Sequence, residues 1–144
     1  MEKTFIIPGK PFGKQRPRVT VNGKYAHAYT PEKTKTYEEL IRAEYLKQCN
    51  GRFEKNIPIT ISIVALFEPP KSDSQKQKNE KINNVTYVTK KPDWDNIAKV
   101  ICDALNGVAW VDDSQIVSGT VAKYYAEESK VLVFIKELES EMKE

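Results

Sequence analysis

Five aspartates and one lysine crowd a single short stretch of this chain: Asp93 and Asp95, then Lys99 and Asp103, then Asp112 and Asp113. Carboxylates brought together without cations repel one another, so a cluster of three or four calls for a metal ion or basic groups to compensate it. Magnesium suits such a set. It takes oxygen ligands, keeps several of its waters, and can clamp a phosphate while activating water for in-line attack on phosphorus. Asp93 and Asp95 are two residues apart, so an extended entry segment places both on one side, and a short turn after the helix can return Asp113 to the same place. Lys99 lies one helical turn beyond Asp95, and Asp103 one turn beyond Lys99. That stripe has a plain alternative, an exposed i, i+4 ion-pair ladder that supports the helix, and this is the reading adopted for Asp103. Turn chemistry is the alternative for Asp112 and Asp113, since aspartate is common in turns.

The elements that must position these groups follow from periodicity. Ile97, Val100, Ile101, Ala104 and Leu105 fall at i, i+3, i+4, i+7 and i+8, which predicts a helix over residues 95 to 106. Asp95 or Asn96 can cap its start, and Gly107 supplies a left-handed stop. Upstream, Thr4 to Ile7 reads as a strand ended by Pro8 and Gly9. Gly9 to Arg18 is then an irregular Pro/Gly loop carrying Lys10, Lys14, Arg16 and Arg18, a candidate phosphate-contacting segment. Val19 to Tyr29 reads as a small ribbon around Asn22-Gly23, with the chain's one histidine, His27, as a surface residue. Thr30-Pro31 has the form of a cap followed by proline at the first helical position. Tyr37, Leu40, Ile41 and Tyr45 mark the buried face of that helix, which ends near Asn50-Gly51. Ile57 to Phe67 alternates with period two and is the clearest strand. Glu68 to Lys90 reads as a long, mobile, basic loop with a short helix near Ser74 to Ile82. Gln115 to Ala126 and Val131 to Leu138 read as two strands of an antiparallel hairpin.

Composition narrows the class. With 144 residues the chain has the length of one domain, 1–144, and can bury a core without disulfides or metals to staple it. No apolar run approaches a membrane span or a signal peptide, so a cytoplasmic protein is expected. Cys49 and Cys102 form no CxxC pair and have no clustered histidines, which points to reduced thiols and argues against zinc. The net charge of +3 conceals a split: residues 1 to 91 carry 18 Lys/Arg against 9 Asp/Glu, whereas residues 92 to 144 carry 5 against 11. A basic surface paired with a separate acidic pocket is what a phosphodiester enzyme requires.

Three segments carry a resemblance. Lys91-Pro-Asp-Trp-Asp-Asn-x-x-Lys99, Asp103-Ala-Leu-Asn-Gly107 and Trp110-x-Asp-Asp-Ser-Gln-Ile116 resemble, in order and spacing, the signature of the RusA family of Holliday junction resolvases. Gly9-Lys-Pro-x-x-Lys-Gln-Arg-Pro-Arg18 is similar to the N-terminal motif of its phage-type members. The resemblance implies an α+β domain with a mixed β-sheet flanked by two main helices in β-α-β-α-β-β order. It also implies a homodimer and Mg²⁺-dependent cleavage of four-way DNA junctions in recombination and repair, with no membrane and no small-molecule cofactor. Carried onto this chain, the family's essential acids fall on Asp93, Asp95 and Asp113, the expected metal ligands, and its essential lysine on Lys99. Asp112 matches a family acid of less defined role. Lys10, Lys14, Arg16 and Arg18 are the expected DNA contacts. The stretch from Glu68 to Lys90 is longer than in the shortest members, so no DNA contact is transferred there. The competing reading is a branched-DNA-binding protein that does not cut. A calcium-binding module is excluded by the lack of an EF-hand ladder and its terminal glutamate.

Overall fold

The structure, a computed structural model, describes residues 1 to 139. Its elements are strands β1 (Glu2–Pro8), β2 (Arg18–Asn22) and β3 (Tyr25–Tyr29), helix α1 (Glu32–Gln48), strand β4 (Ile59–Phe67), helices α2 (Gln75–Asn83) and α3 (Trp94–Leu105), and strands β5 (Ile116–Tyr125) and β6 (Lys130–Glu137). A single 3-10 turn, Asp113–Gln115, leads into β5. The result is an α+β domain with a mixed sheet, as the resemblance implies.

Strand β4 is the centre of that sheet. Every second residue from Ile59 to Phe67 is buried, and both of its edges are paired, so the sheet runs β1-β6-β4-β5. The expected β5–β6 hairpin is therefore not formed. β5 pairs with β4 in parallel and β6 pairs with β4 antiparallel, one on each side. The connection from Ala126 to Ser129 steps across the end of β4, where Ala126 N–H donates to the Phe67 carbonyl at 2.9 Å and Glu68 N–H to Ser129 Oγ at 2.9 Å. Alternation identifies a strand but not its neighbour, and the most apolar strand took the position that buries it most.

Parallel pairing of β4 and β5 needs a crossover, which residues 68 to 115 provide with α2 and α3. The N-terminus of α3 thus lies at the carboxyl end of the parallel pair, the usual place for a site in such sheets. Helices α1 and α3 cover one face. Tyr37, Ile41 and Tyr45 of α1 and Ile97, Val100 and Ile101 of α3 are buried against it, together with Phe5, Ile7, Val133 and Ile135. The opposite face is open: Ile6 and Phe134, which alternate with those buried residues, remain 41% and 37% exposed.

Local starts differ from expectation by a residue or two. Pro31 is the N-cap of α1, in extended conformation, with its carbonyl accepting from Lys35 N–H, and Thr30 lies outside. Asp93, rather than Asp95 or Asn96, occupies the N-cap of α3, and its carboxylate makes no capping bond. Gly107 has φ +78 and ends the helix as expected. α2 begins on Ser74, whose hydroxyl accepts from Gln77 N–H while Gln77 Oε1 accepts from Ser74 N–H, a complete capping box. The β2–β3 ribbon turns on Gly23-Lys24. Gly23 at φ +64 takes the first central position, where a hairpin turn of this length admits glycine. The register places Val19, Val21, Ala26 and Ala28 on one side of the ribbon, and Arg18, Thr20, Asn22, Tyr25, His27 and Tyr29 on the other. Among the described residues no helix is long and apolar enough to cross a membrane.

Candidate active site

Asp93 stands where two clefts meet at the start of α3. One, of about 530 Å³, runs toward Lys10, Phe12 and Gln15 of the basic loop. The other, of about 490 Å³, is lined by Val88, Asp93, Trp94, Asp95 and Lys123. Free of capping duty, the Asp93 carboxylate pairs with Lys91 Nζ at 3.0 Å across an exposed surface, a contact of little energetic weight that a phosphate could displace. Asp95, in the first helical turn, has no ion pair or hydrogen bond among the described residues. The positive end of the helix dipole favours both charges there. Lys99 is exposed one turn along, likewise without an ion-pair partner among the described residues.

The basic loop is docked rather than free. Lys14 N–H donates to the Asn96 carbonyl of α3 at 2.9 Å. Gly13 lies so close to α3 that a methyl group on it would stand 2.7 Å from Pro92 Cβ and 3.2 Å from Asn96 Cβ, so the approach admits only glycine. On the other side, the Thr34 hydroxyl of α1 donates to Gln15 Oε1 at 3.3 Å and accepts from Gln15 N–H at 3.4 Å. The Phe12 ring packs on Tyr37 with centroids 5.4 Å apart. Burial pushes the Tyr37 hydroxyl up to about 12, against a hydrogen bond with the Phe12 backbone.

Lys14 is the strut of this arrangement. Its ammonium lies 3.0 Å from Glu38 of α1 and 3.2 Å from Asp103 of α3, mostly shielded from solvent. Burial alone would lower its pKa, but the hydrogen bonds and charges of Glu38 and Asp103 outweigh it and hold the group above its usual 10.5. The surface ladder expected between Lys99 and Asp103 is accordingly not what Asp103 makes: it faces Lys14 across the groove. Of the four cations expected to contact phosphate, Lys10, Arg16 and Arg18 are exposed and have no ion-pair partner among the described residues, whereas Lys14 joins loop to helices.

Asp113 lies toward the far end of α3 and lines neither of the two clefts at Asp93. It stands near Cys102, whose thiol is pushed up to about 11 by burial first and then by the charges of Asp103 and Asp113, against Lys99. Asp95, Lys99 and Cys102 are at i, i+4 and i+7, so Asp113 lies along the edge of α3 that carries Lys99. Its placement depends on Gln115, a buried polar side chain in which every amide function is engaged. Gln115 Oε1 accepts from Val111 N–H at 2.9 Å and Asp112 N–H at 3.1 Å, while Nε2 donates to the Glu54 carbonyl at 2.7 Å and the Ile57 carbonyl at 3.0 Å. Asp112 is held within the same turn, accepting from the Ser114 hydroxyl. Asp113 itself has no partner among the described residues.

Among the described residues no three His, Cys, Asp or Glu side chains gather closely enough to enclose one ion. The donor set still suits magnesium, which binds through one or two carboxylates and takes its other oxygens from water and phosphate. Asp93 and Asp95 on one cleft are such a pair. Sequence reasoning passed over Gln115, Thr34, Gly13 and Lys123. One signal was available: from Lys3 to Pro31 there is no acidic residue, which marks the whole N-terminal loop and ribbon as cationic.

Exposed carboxylates and an exposed lysine beside a docked cationic loop suit a phosphodiester polyanion. A family model described as endodeoxyribonuclease RusA matches residues 8–136, and the chain belongs to that endodeoxyribonuclease family. It is also similar to the uncharacterized protein YqaN of Bacillus subtilis (strain 168), with 33% identity over 138 residues, 93% of this chain and 95% of that one.

Proposed function

We propose that this protein is a Mg²⁺-dependent Holliday junction resolvase, a homodimer that cuts four-way DNA junctions by paired nicks. The observation that carries the reading is the docking of the cationic loop on α3, which puts Lys10 and Asp93 on the lining of one cleft while Arg16 and Arg18 stay exposed on the same loop. Asp93 and Asp95, which share a cleft, would supply oxygen ligands to the metal, and Asp113 is proposed as the third acid although it is not gathered with them among the described residues. When bound, the ion would polarise the scissile phosphoryl group and make a water acidic enough to attack it. Lys99 places its ammonium beside the phosphoryl oxygens and stabilises the charge that develops on them. Lys10, Arg16 and Arg18 hold the backbone on the flanking surface. A non-cleaving branched-DNA-binding protein would have no use for carboxylates at Asp95 and Asp113, which repel phosphate.

Labelled four-way junction incubated with Mg²⁺, and in parallel with EDTA, tests the reading. Symmetric nicks with Mg²⁺ alone are expected, and an uncut junction in both arms would support the binding protein.

For Lys99→Ala the expected single-turnover cleavage rate at saturating enzyme is lower by on the order of a hundredfold, with fold and junction binding retained. Lys99→Arg recovers part of the loss, since the charge is kept while its shape is not. A rate within a few-fold of wild type for Lys99→Ala would remove Lys99 from the site.

Arg16→Ala and Arg18→Ala are each expected to weaken junction binding and reduce the salt slope of log K by about one. Unchanged slopes would move the DNA surface elsewhere.

A two-fold dimer presents two identical sites to the two symmetric strands of a junction. The open sheet face around Ile6 and Phe134 supports such a partner. Light scattering at micromolar concentration should give twice the chain mass of 16.5 kDa, and a monomer that makes only single nicks would contradict the dimer.

A further inference from the structure

We propose that Trp94 is a stacking platform for a nucleobase beside the scissile phosphate, and that it makes the enzyme prefer branched DNA to linear duplex. The inference rests on the junction-nuclease reading and adds the contact by which a branch is recognised. Trp94 is the first residue of α3, placed between the two acids Asp93 and Asp95. Its side chain is 64% exposed, whereas the chain's other tryptophan, Trp110, is fully buried. A large aromatic left in solvent at the mouth of a site calls for an explanation that a scattered surface leucine does not. Folding supplies none: Trp94 makes no ring–ring or cation–ring contact among the described residues, while Phe5, Phe12 and Tyr87 all do.

The surroundings select the occupant. Trp94 lines the same cleft as Asp93, Asp95 and Lys123, floored by Val88. Lys123 is held there by its own bond to the Lys90 carbonyl, and Val88 by a bond from its N–H to the Lys123 carbonyl. The rim therefore carries charge of both signs around one aromatic ring. A protein partner would bury those charges and close the cleft over Asp93 and Asp95. A nucleotide fits, because its base offers a π-face to the indole while its phosphate meets the Lys123 ammonium on the same rim. Bases inside a duplex already stack on both faces. Where the arms of a branch are not stacked on one another, the pair at the branch point has one face uncovered, and stacking there is available without unpairing the helix. Since every base has a π-face, the contact reads structure and tolerates sequence.

The chain reports on its own platform. With Trp110 buried, the iodide-quenchable emission of the free protein comes from Trp94. Wild-type protein in EDTA, which prevents cleavage, is titrated with a dye-labelled four-way junction and separately with linear duplex. Dye anisotropy reports binding, and tryptophan emission with and without iodide reports Trp94. Junction binding is expected to quench the emission and shield it from iodide in step with the anisotropy, while duplex binding leaves both largely unchanged. Trp94→Phe should keep the preference for junction over duplex within a few-fold. Trp94→Ala should lose roughly tenfold of that preference with duplex affinity retained, within the range for one stacked base.

Junction binding by anisotropy with Trp94 emission and iodide access unchanged would overturn the platform and leave the nuclease reading standing. So would an iodide-inaccessible Trp94 in the free dimer, which would assign the ring to the second copy. Absence of junction binding by any readout would overturn the reading beneath it as well. The wild-type measurement stands even where Trp94→Ala fails to fold.

Discussion

Asp95→Asn is expected to bind a four-way junction at least as tightly as the wild type and to leave it uncut. The substitution keeps the shape of the side chain and removes one oxygen ligand and one charge. Asp95 has no hydrogen bond or ion pair to lose among the described residues, so stability should be little changed. Loss of an anion facing phosphate favours binding, while cleavage falls by on the order of a thousandfold or more. Asp93→Asn and Asp113→Asn should behave alike, because Asp93 has only an exposed pair with Lys91 and Asp113 has no partner among the described residues. Asp103→Asn is the contrast. It weakens the contact with Lys14 and should lower stability modestly while cutting near the wild-type rate. Junction affinity in EDTA, cleavage in Mg²⁺ and thermal melting of the four variants separate the two classes. An inactive Asp103→Asn beside an active Asp113→Asn would overturn the assignment.

Gln115→Leu should cost about 3–5 kcal/mol of folding stability, a large share of the ~5–15 kcal/mol typical of a domain. Leucine fills a similar volume but leaves Val111 N–H, Asp112 N–H and the Glu54 and Ile57 carbonyls without their partner. Each unsatisfied buried group costs roughly 1–3 kcal/mol, and water can reach some of these four. Gln115→Glu should fail nearly as badly, because a carboxylate cannot donate to Glu54 and Ile57. Urea unfolding measures the loss, and cleavage should fall further than stability alone explains, since Asp113 stands on the same turn. A cost below about 1 kcal/mol would mean that other contacts hold the 111–115 segment.

Much of the site was legible in the residues themselves. The 3.6-residue period from Ile97 to Leu105 fixed α3 to within a residue at each end, and Gly107 fixed its stop. The alternation from Ile59 to Phe67 identified β4, and Asn22-Gly23 located the ribbon. These are local properties: the period of the apolar residues and the allowed φ of glycine need no knowledge of the rest of the chain. For the same reason the acids flanking α3 could be named in advance. What lay beyond reach was which partner each polar group would choose. Lys14 and Arg16 are both cations of one Pro/Gly loop, yet Lys14 is captured between Glu38 and Asp103 while Arg16 stays in solvent. Asp103 could as well have paired with Lys99 on its own helix. Gln115 looked like the first residue of a strand and instead ties together two loops some 60 residues apart in sequence. β5 and β6 looked like a hairpin until β4 came between them. In each case the outcome was set by the close approach of segments remote in sequence, where the desolvation of a polar group or an apolar strand decides the pairing, and that approach exists only once the tertiary structure has formed.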